Sequence, residues 1–444
     1  MTGYKMNYNQ DFTSISVLSK TGFRLYTISS VDSVDEIYSK ENENIRIVER
    51  LFNSSLMVLV TENKPNCLKM LHFKKKLEIC NCVYPSTILC VRMNKCRLVV
   101  CLAESIHIHD IQDMKILKSI ENISLNELGL CTLSLNSHLA YPVSGTSGEL
   151  QIFKANELKE GLTIQAHKTL LSAICFSPTG MLIATASERG TVIRVFCVKN
   201  GQRVQEFRRG MKRYVRIESL VFSAHADFLC VSSNKETIHI FKIDTKEVSL
   251  AEHRPVLEIK AVNNPTLEDI STTNNTEIDS WSGYLTKTIS TYFPSQVSNV
   301  LNQNRAFSTA VLSQPGLKHI CGLTKFGKEI KLMVACEDGF LYIYDFSNAI
   351  GGSCKLIRAH DLRNTLEGVI ELNFTESPNK STPIIIENNE RQKDSSYAGI
   401  LKGDYENGLT AESAKCRSLC DAINSPAKLY DEMQFPPVKP TIRD

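Results

Sequence analysis

Tryptophan occurs once in these 444 residues, at Trp281, and glycine and proline number only 21 and 14. That scarcity excludes collagen-like and low-complexity architectures. No uninterrupted apolar run reaches the roughly 18 residues of a membrane-spanning helix, and the opening MTGYKMNYNQDF lacks the apolar core of a signal peptide. The expectation is a chain made and kept in the cytosol. Among 15 cysteines there is no C-x-x-C pair, and Cys80/Cys82 and Cys416/Cys420 have no further partner at zinc spacing, so no metal is expected. Most cysteines sit in apolar runs such as LCVRMNKCRLVVC, as reduced, buried thiols do. Charge of one sign is also missing: 51 basic against 48 acidic residues leave +3, which excludes a polyanion binder of the histone type. There is no P-loop, G-x-G-x-x-G or H-E-x-x-H, and GTSG at Gly145 lacks the spacing of a nucleophile elbow. Neither an enzyme nor a cofactor is expected, and strand histidines such as His107 and His109 read as satisfied structural residues.

What is present is a repeat. Strands of the form apolar-x-apolar-aromatic recur as LQIF, VIRVF, TIHIF and FLYIY, with IHIHD a weaker copy. Their central residues Ile108, Ile152, Val195 and Ile240 are 44, 43 and 45 residues apart. That period, with several short strands per unit, is the signature of a propeller blade. The clearest unit, Ala166 to Phe207, parses as four strands joined by turns at SPTG, ERGT and KNGQ. From Ile240 to the next marker, Ile343, the distance is 103 residues, one period plus a surplus assigned to an insertion over 251–308. The expectation is an all-β, seven-bladed WD-type propeller over residues 10–374, interrupted in blade six. A polar, mostly disordered tail is expected over 375–444.

Charge is concentrated in EFRRGMKRYVRIESL, where Arg208, Arg209, Lys212, Arg213 and Arg216 fall within nine positions. Phe207 ends the outer strand of blade five and VRIESLVF begins blade six, so FRRG spans a blade junction. Successive side chains of an extended segment point to opposite sides, which sends Arg208 and Arg209 toward different blades. Blade five offers Thr185, Ser187, Gly190, Thr191 and Arg194; blade six offers Ser233, Thr237 and His239. Hydroxyls, backbone amides and guanidinium forks are the groups that hold a phosphate. Two readings stay open on these residues: two adjacent anion pockets, or a solvated basic rim whose Ser and Thr bond to turn backbone.

Within the insertion, Trp281, Tyr284, Leu285, Ile289, Tyr292 and Phe293 fall on one stripe of a helix that Pro294 ends. A stripe of this kind is commonly a core face. Hanging from a polar linker outside a propeller, it has little core to join, and lying in a lipid interface fits its aromatic, weakly charged character.

FRRG between two WD-like blades, hydroxyl-rich turns on both sides and a WSGY-type amphipathic insertion resemble the PROPPIN family of phosphoinositide-binding propellers of autophagy. The resemblance runs from about Phe12 to Phe374 and is densest from His167 to Phe241. It implies one headgroup pocket formed by His167, Thr185, Ser187, Gly190, Thr191, Arg194 and Arg208, and a second formed by Arg209, Gly210, Ser233, Thr237 and His239. Thr185 stands where serine is expected in close relatives and retains the hydroxyl. The implied ligands are membranes bearing phosphatidylinositol 3-phosphate and phosphatidylinositol 3,5-bisphosphate. The implied partners are autophagy conjugation or lipid-transfer proteins, and Lys95 and Arg97 are candidate contacts for them. The implied protein is a monomer in solution, cytoplasmic and peripheral on phagophore (preautophagosomal) and endosomal membranes. A WD scaffold that docks acidic or phosphorylated peptides without lipid is the alternative. A nucleic-acid reader is disfavoured by near neutrality and by Tyr214 as the lone stacking aromatic near the cluster.

Overall fold

Short strands with apolar residues at every second position must bury one or both faces, and radial repetition does so while leaving only short edges. The computed structural model of the chain describes residues 3–210, 214–253, 305–312, 314 and 316–363. They form seven sheets, one per blade, each built on four antiparallel strands that follow chain order. The first strands of the blades, and in blade four the segment just ahead of its first strand, line a central channel of about 820 Å³. Blade five contains Leu171–Phe176, Leu182–Ser187, Val192–Cys197 and Arg203–Arg208, the four strands its sequence predicts. The apolar-x-apolar-aromatic strands are the third strand of each blade, one in from the rim.

Between blades five and six the core joins Ala184, Ile193, Val195 and Phe207 to Leu220, Phe222, Val231 and Phe241. Equivalent clusters fill the other seams. Blade one begins at Lys5, ahead of the boundary the sequence suggests at residue 10, and blade seven ends at Asp361. Among the described residues no strand is exchanged between these two terminal blades. Their seam is closed by Tyr8, Ile15, Val17 and Ile28 packed on Met333, Leu341 and Ile343, by the Tyr26 hydroxyl donating to Leu362 O at 2.9 Å, and by the Arg358 guanidinium on Asp32 at 2.9 Å.

Blade six carries two features the sequence does not announce. A short strand, Gly352–Ser353, from the last connection of blade seven pairs parallel with Ser308–Val311 at its outer edge. The connection from its third strand, Thr237–Lys242, to that outer strand begins with helix α1, Thr245–His253, six residues ahead of the insertion start read from sequence. Ala251 of α1 is buried in the blade five–six core, and Asn200 Nδ2 donates to its carbonyl at 2.7 Å. The start of the insertion is therefore part of the folded body. The stripe from Trp281 to Phe293 (Tyr284, Leu285, Ile289 and Tyr292 included) and the expected tail lie outside the described residues.

Candidate functional site

Phe207 anchors the basic junction. Its ring is 1% exposed and stacks on Phe241 of blade six, centroids 4.7 Å apart and planes 20° from parallel. Full burial of such a ring contributes about 2–3 kcal/mol and leaves the next two residues at the seam. Arg208 still pairs with Val192 in blade five, and the Arg209 amide donates to Thr191 O at 3.0 Å. The chain then returns through Val215, whose amide donates to Arg189 O at 3.2 Å. Gly190 makes this approach possible: its φ is +61°, and a Cβ there would lie 2.1 Å from Val215 O. Lys212 and Arg213 lie outside the described residues. Arg216 hydrogen-bonds Glu218 at 2.6 Å and 2.9 Å, an ion pair between side chains two residues apart.

On the blade-five side, His167 ends the outer strand of blade four and crosses the seam, its Nε2 2.9 Å from Thr185 Oγ1. Both are buried. Burial, and then the charge of Arg194, push the His167 pKa down to about 4, so its imidazole is neutral at physiological pH. Thr185 Oγ1 donates to Arg194 O at 3.4 Å, and Arg194 Nη1 donates to Ala166 O at 2.7 Å. Ser187 is buried, and its carbonyl accepts the Gly190 amide at 2.9 Å, which forms the turn that presents Thr191.

Glu206 completes this pocket, and the sequence reading did not single it out. Its carboxylate takes Arg194 Nε at 2.9 Å, Arg203 Nη1 at 3.0 Å and Arg208 Nη2 at 3.4 Å. Burial opposes ionisation of Glu206, yet the hydrogen bond and charge of Arg194, with Arg203 and Arg208, hold its pKa below the usual carboxylate value. A usable signal was there. Residues two apart on a strand share a face, so Glu206 had to lie beside Arg208.

On the blade-six side, Arg209 is partly buried, and its Nε has no hydrogen-bond partner among the described residues. Burial lowers its pKa. Burial, and then the charge of Arg209, push His239 down to about 4, which puts the two side chains within electrostatic reach. His239 lies over Phe241, centroids 6.2 Å apart. Ser233 is fully buried, with its Oγ accepting the Lys235 amide at 3.3 Å. Thr237 opens the third strand opposite Val311, and the space around the α-carbon of Gly210 is open. The structure thus links Arg208 through Glu206 to the His167–Thr185–Arg194 group, and places Arg209 within electrostatic range of His239. The blade-five group combines guanidinium forks with a buried hydroxyl and a neutral imidazole whose one N–H is engaged by Thr185, and the blade-six group combines a guanidinium with a neutral imidazole; in both the guanidinium fork is the donor suited to a tetrahedral oxyanion.

The candidate partner contacts are committed within the chain. Lys95 lies over the Phe52 ring at 5.5 Å. The Arg97 side chain is only 14% exposed; it donates to Ala155 O at 3.1 Å and pairs with Asp110 at 3.6 Å.

The PROPPIN family model matches residues 4–258 and 256–363. WD repeat domain phosphoinositide-interacting protein 1 of Homo sapiens is 42% identical over 439 residues, covering 97% of this chain and 92% of that protein. Autophagy-related protein 18 of Caenorhabditis elegans is 35% identical over 370 residues, covering 80% of this chain and 85% of that protein. Among solved structures, Kluyveromyces lactis Hsv2 superposes with a TM-score of 0.61 at 17% identity, over 82% of this chain and 100% of that one. A complex of KlAtg21 with the coiled-coil of AgAtg16 gives 0.59 at 24% identity, over 82% of this chain and 100% of that one. At such identities the structural likeness shows the fold.

Proposed function

The chain belongs to the PROPPIN family, and from that premise we propose that it is a phosphoinositide effector. It binds the headgroups of phosphatidylinositol 3-phosphate and phosphatidylinositol 3,5-bisphosphate in two separate rim pockets, one around Arg208 and one around Arg209. The observation that carries this reading is that two adjacent arginines have distinct surroundings: Arg208 pairs with Glu206, which also holds Arg194 of blade five, while the charge of Arg209 acts on His239 of blade six. Such a pair cannot share one phosphate, but it can hold two headgroups of one membrane. Its role is binding rather than catalysis.

Each pocket alone supplies a few charge-assisted hydrogen bonds on a rim and binds weakly; two on one rigid body act together and raise the residence on a membrane. The aromatic stripe from Trp281 to Phe293 lies in the lipid interface beside them and adds about 25 cal/mol for each Å² of apolar surface withdrawn from water. The membrane-bound propeller recruits autophagy proteins at phagophore and endosomal membranes. A matched relative is named for autophagy, and a neighbouring structure is a complex with a coiled-coil.

Liposome sedimentation tests the reading, with wild type compared with Arg208→Thr plus Arg209→Thr on vesicles of phosphatidylcholine with phosphatidylinositol 3-phosphate. Loss of sedimentation by the double variant is expected. Undiminished binding would overturn the pocket assignment, and retained binding of an acidic peptide without vesicles would favour the scaffold alternative.

A further inference from the structure

Three guanidinium groups converge on one carboxylate in the Arg208 pocket, and their charges do not cancel. Glu206 accepts from Arg194 at 2.9 Å, Arg203 at 3.0 Å and Arg208 at 3.4 Å. Three positive charges against one negative leave +2 in this group. A phosphate monoester carries about −1.5 to −2 near neutral pH. A phosphodiester such as that of phosphatidylinositol carries one negative charge, and phosphatidylserine carries one net negative charge.

Resting on the reading that this pocket takes a phosphoinositide headgroup, we infer that Glu206 is a specificity-determining residue. It acts as a resident anion that only a dianionic phosphate monoester displaces from the arginines with net gain. A monoanionic headgroup offers the guanidinium groups no more charge than Glu206 already does, and it also meets repulsion from the carboxylate. A dianion exchanges that single charge for two. The geometry supports exchange rather than rigid locking. Arg208 is the most loosely held of the three, with a side chain 56% exposed, and Arg194 keeps its second anchor on Ala166 O whichever anion it faces. Glu206 therefore enforces selection against the monoanionic lipids that outnumber phosphoinositides on a membrane.

Charge arithmetic makes this testable with side chains that keep their shape. Glu206→Gln retains a carbonyl acceptor for Arg194 and raises the group to +3. Binding to vesicles of phosphatidylcholine with phosphatidylserine should rise about three- to tenfold, the effect of one partly screened charge at a few ångströms. Binding to vesicles with phosphatidylinositol 3-phosphate should change less, which narrows the preference. Adding Arg203→Gln to Glu206→Gln returns the group to +2 but leaves it without a resident anion, so the preference should stay narrowed. An unchanged preference in Glu206→Gln, a fall in its phosphatidylserine binding, or full recovery of the wild-type preference in the double variant, which would assign selectivity to net charge alone, would overturn the inference. The Arg208→Thr plus Arg209→Thr variant separates the two levels. If it loses phosphatidylinositol 3-phosphate while Glu206→Gln leaves selectivity intact, the role of Glu206 fails and the pockets stand; if it binds normally, the pockets themselves fail.

Discussion

Phe207 and Phe241 stack across the seam of blades five and six, and through that contact one buried ring anchors the segment that carries Arg208 and Arg209. Phe207 precedes the two arginines, and Phe241 lies under His239. Phe207→Ala should cost about 3–5 kcal/mol of stability, as a phenylalanine deleted from a close-packed core does. Phe207→Leu should cost less than about 2 kcal/mol and retain headgroup binding. Chemical denaturation measures both; an alanine variant as stable as wild type would mean that the seam is not the anchor.

Arg208 and Arg209 should behave as independent sites. Calorimetric titration of wild type with a soluble inositol phosphate headgroup should return two sites per chain, and Arg208→Thr or Arg209→Thr should each return one. A single substitution that abolishes both would show that the two arginines share a ligand.

Stability should depend on pH through His167 and His239. In the unfolded chain each titrates near 6.5, and in the fold each is held at about 4. Between these values the unfolded state binds more protons, so stability rises with pH across that window and is lost as pH falls from 6.5 toward 4. His167, the more deeply buried, should account for a loss on the order of 1–3 kcal/mol. Denaturation midpoints measured from pH 4 to 7 should slope less in His167→Gln; an identical slope would refute the assignment.

The insertion stripe should act on membranes alone. Trp281→Asp with Phe293→Asp is expected to reduce liposome binding severalfold while the affinity for soluble headgroup stays at the wild-type value. Equal loss of both would assign the stripe a structural role.

The seven-blade architecture was legible because its signals are local. A blade is four antiparallel strands joined by short turns, so the alternation in Leu182–Ser187 and Val192–Cys197, and the turns at SPTG and ERGT, lie within a few residues of what they organise. The divergence of Arg208 and Arg209 was legible for the same reason, since strand pleating dictates it. Glu206 was within reach of that argument but draws no notice as one acid in a basic run; its three-way contact requires Arg194, which is twelve residues away in sequence and on the neighbouring strand.

The sequence by itself determined the repeat, the blade count and the junction that carries the arginines, because each depends on side-chain alternation over a few residues. Only the tertiary structure decided what those arginines face. The neutral imidazole of His167 exists because a seam between blades buries it beside Thr185 and Arg194. The ring closes through a hydrogen bond between Tyr26 and Leu362, 336 residues apart. Burial and charge at such places are set by which segments pack together, a property of distance in space that spacing along the chain does not encode.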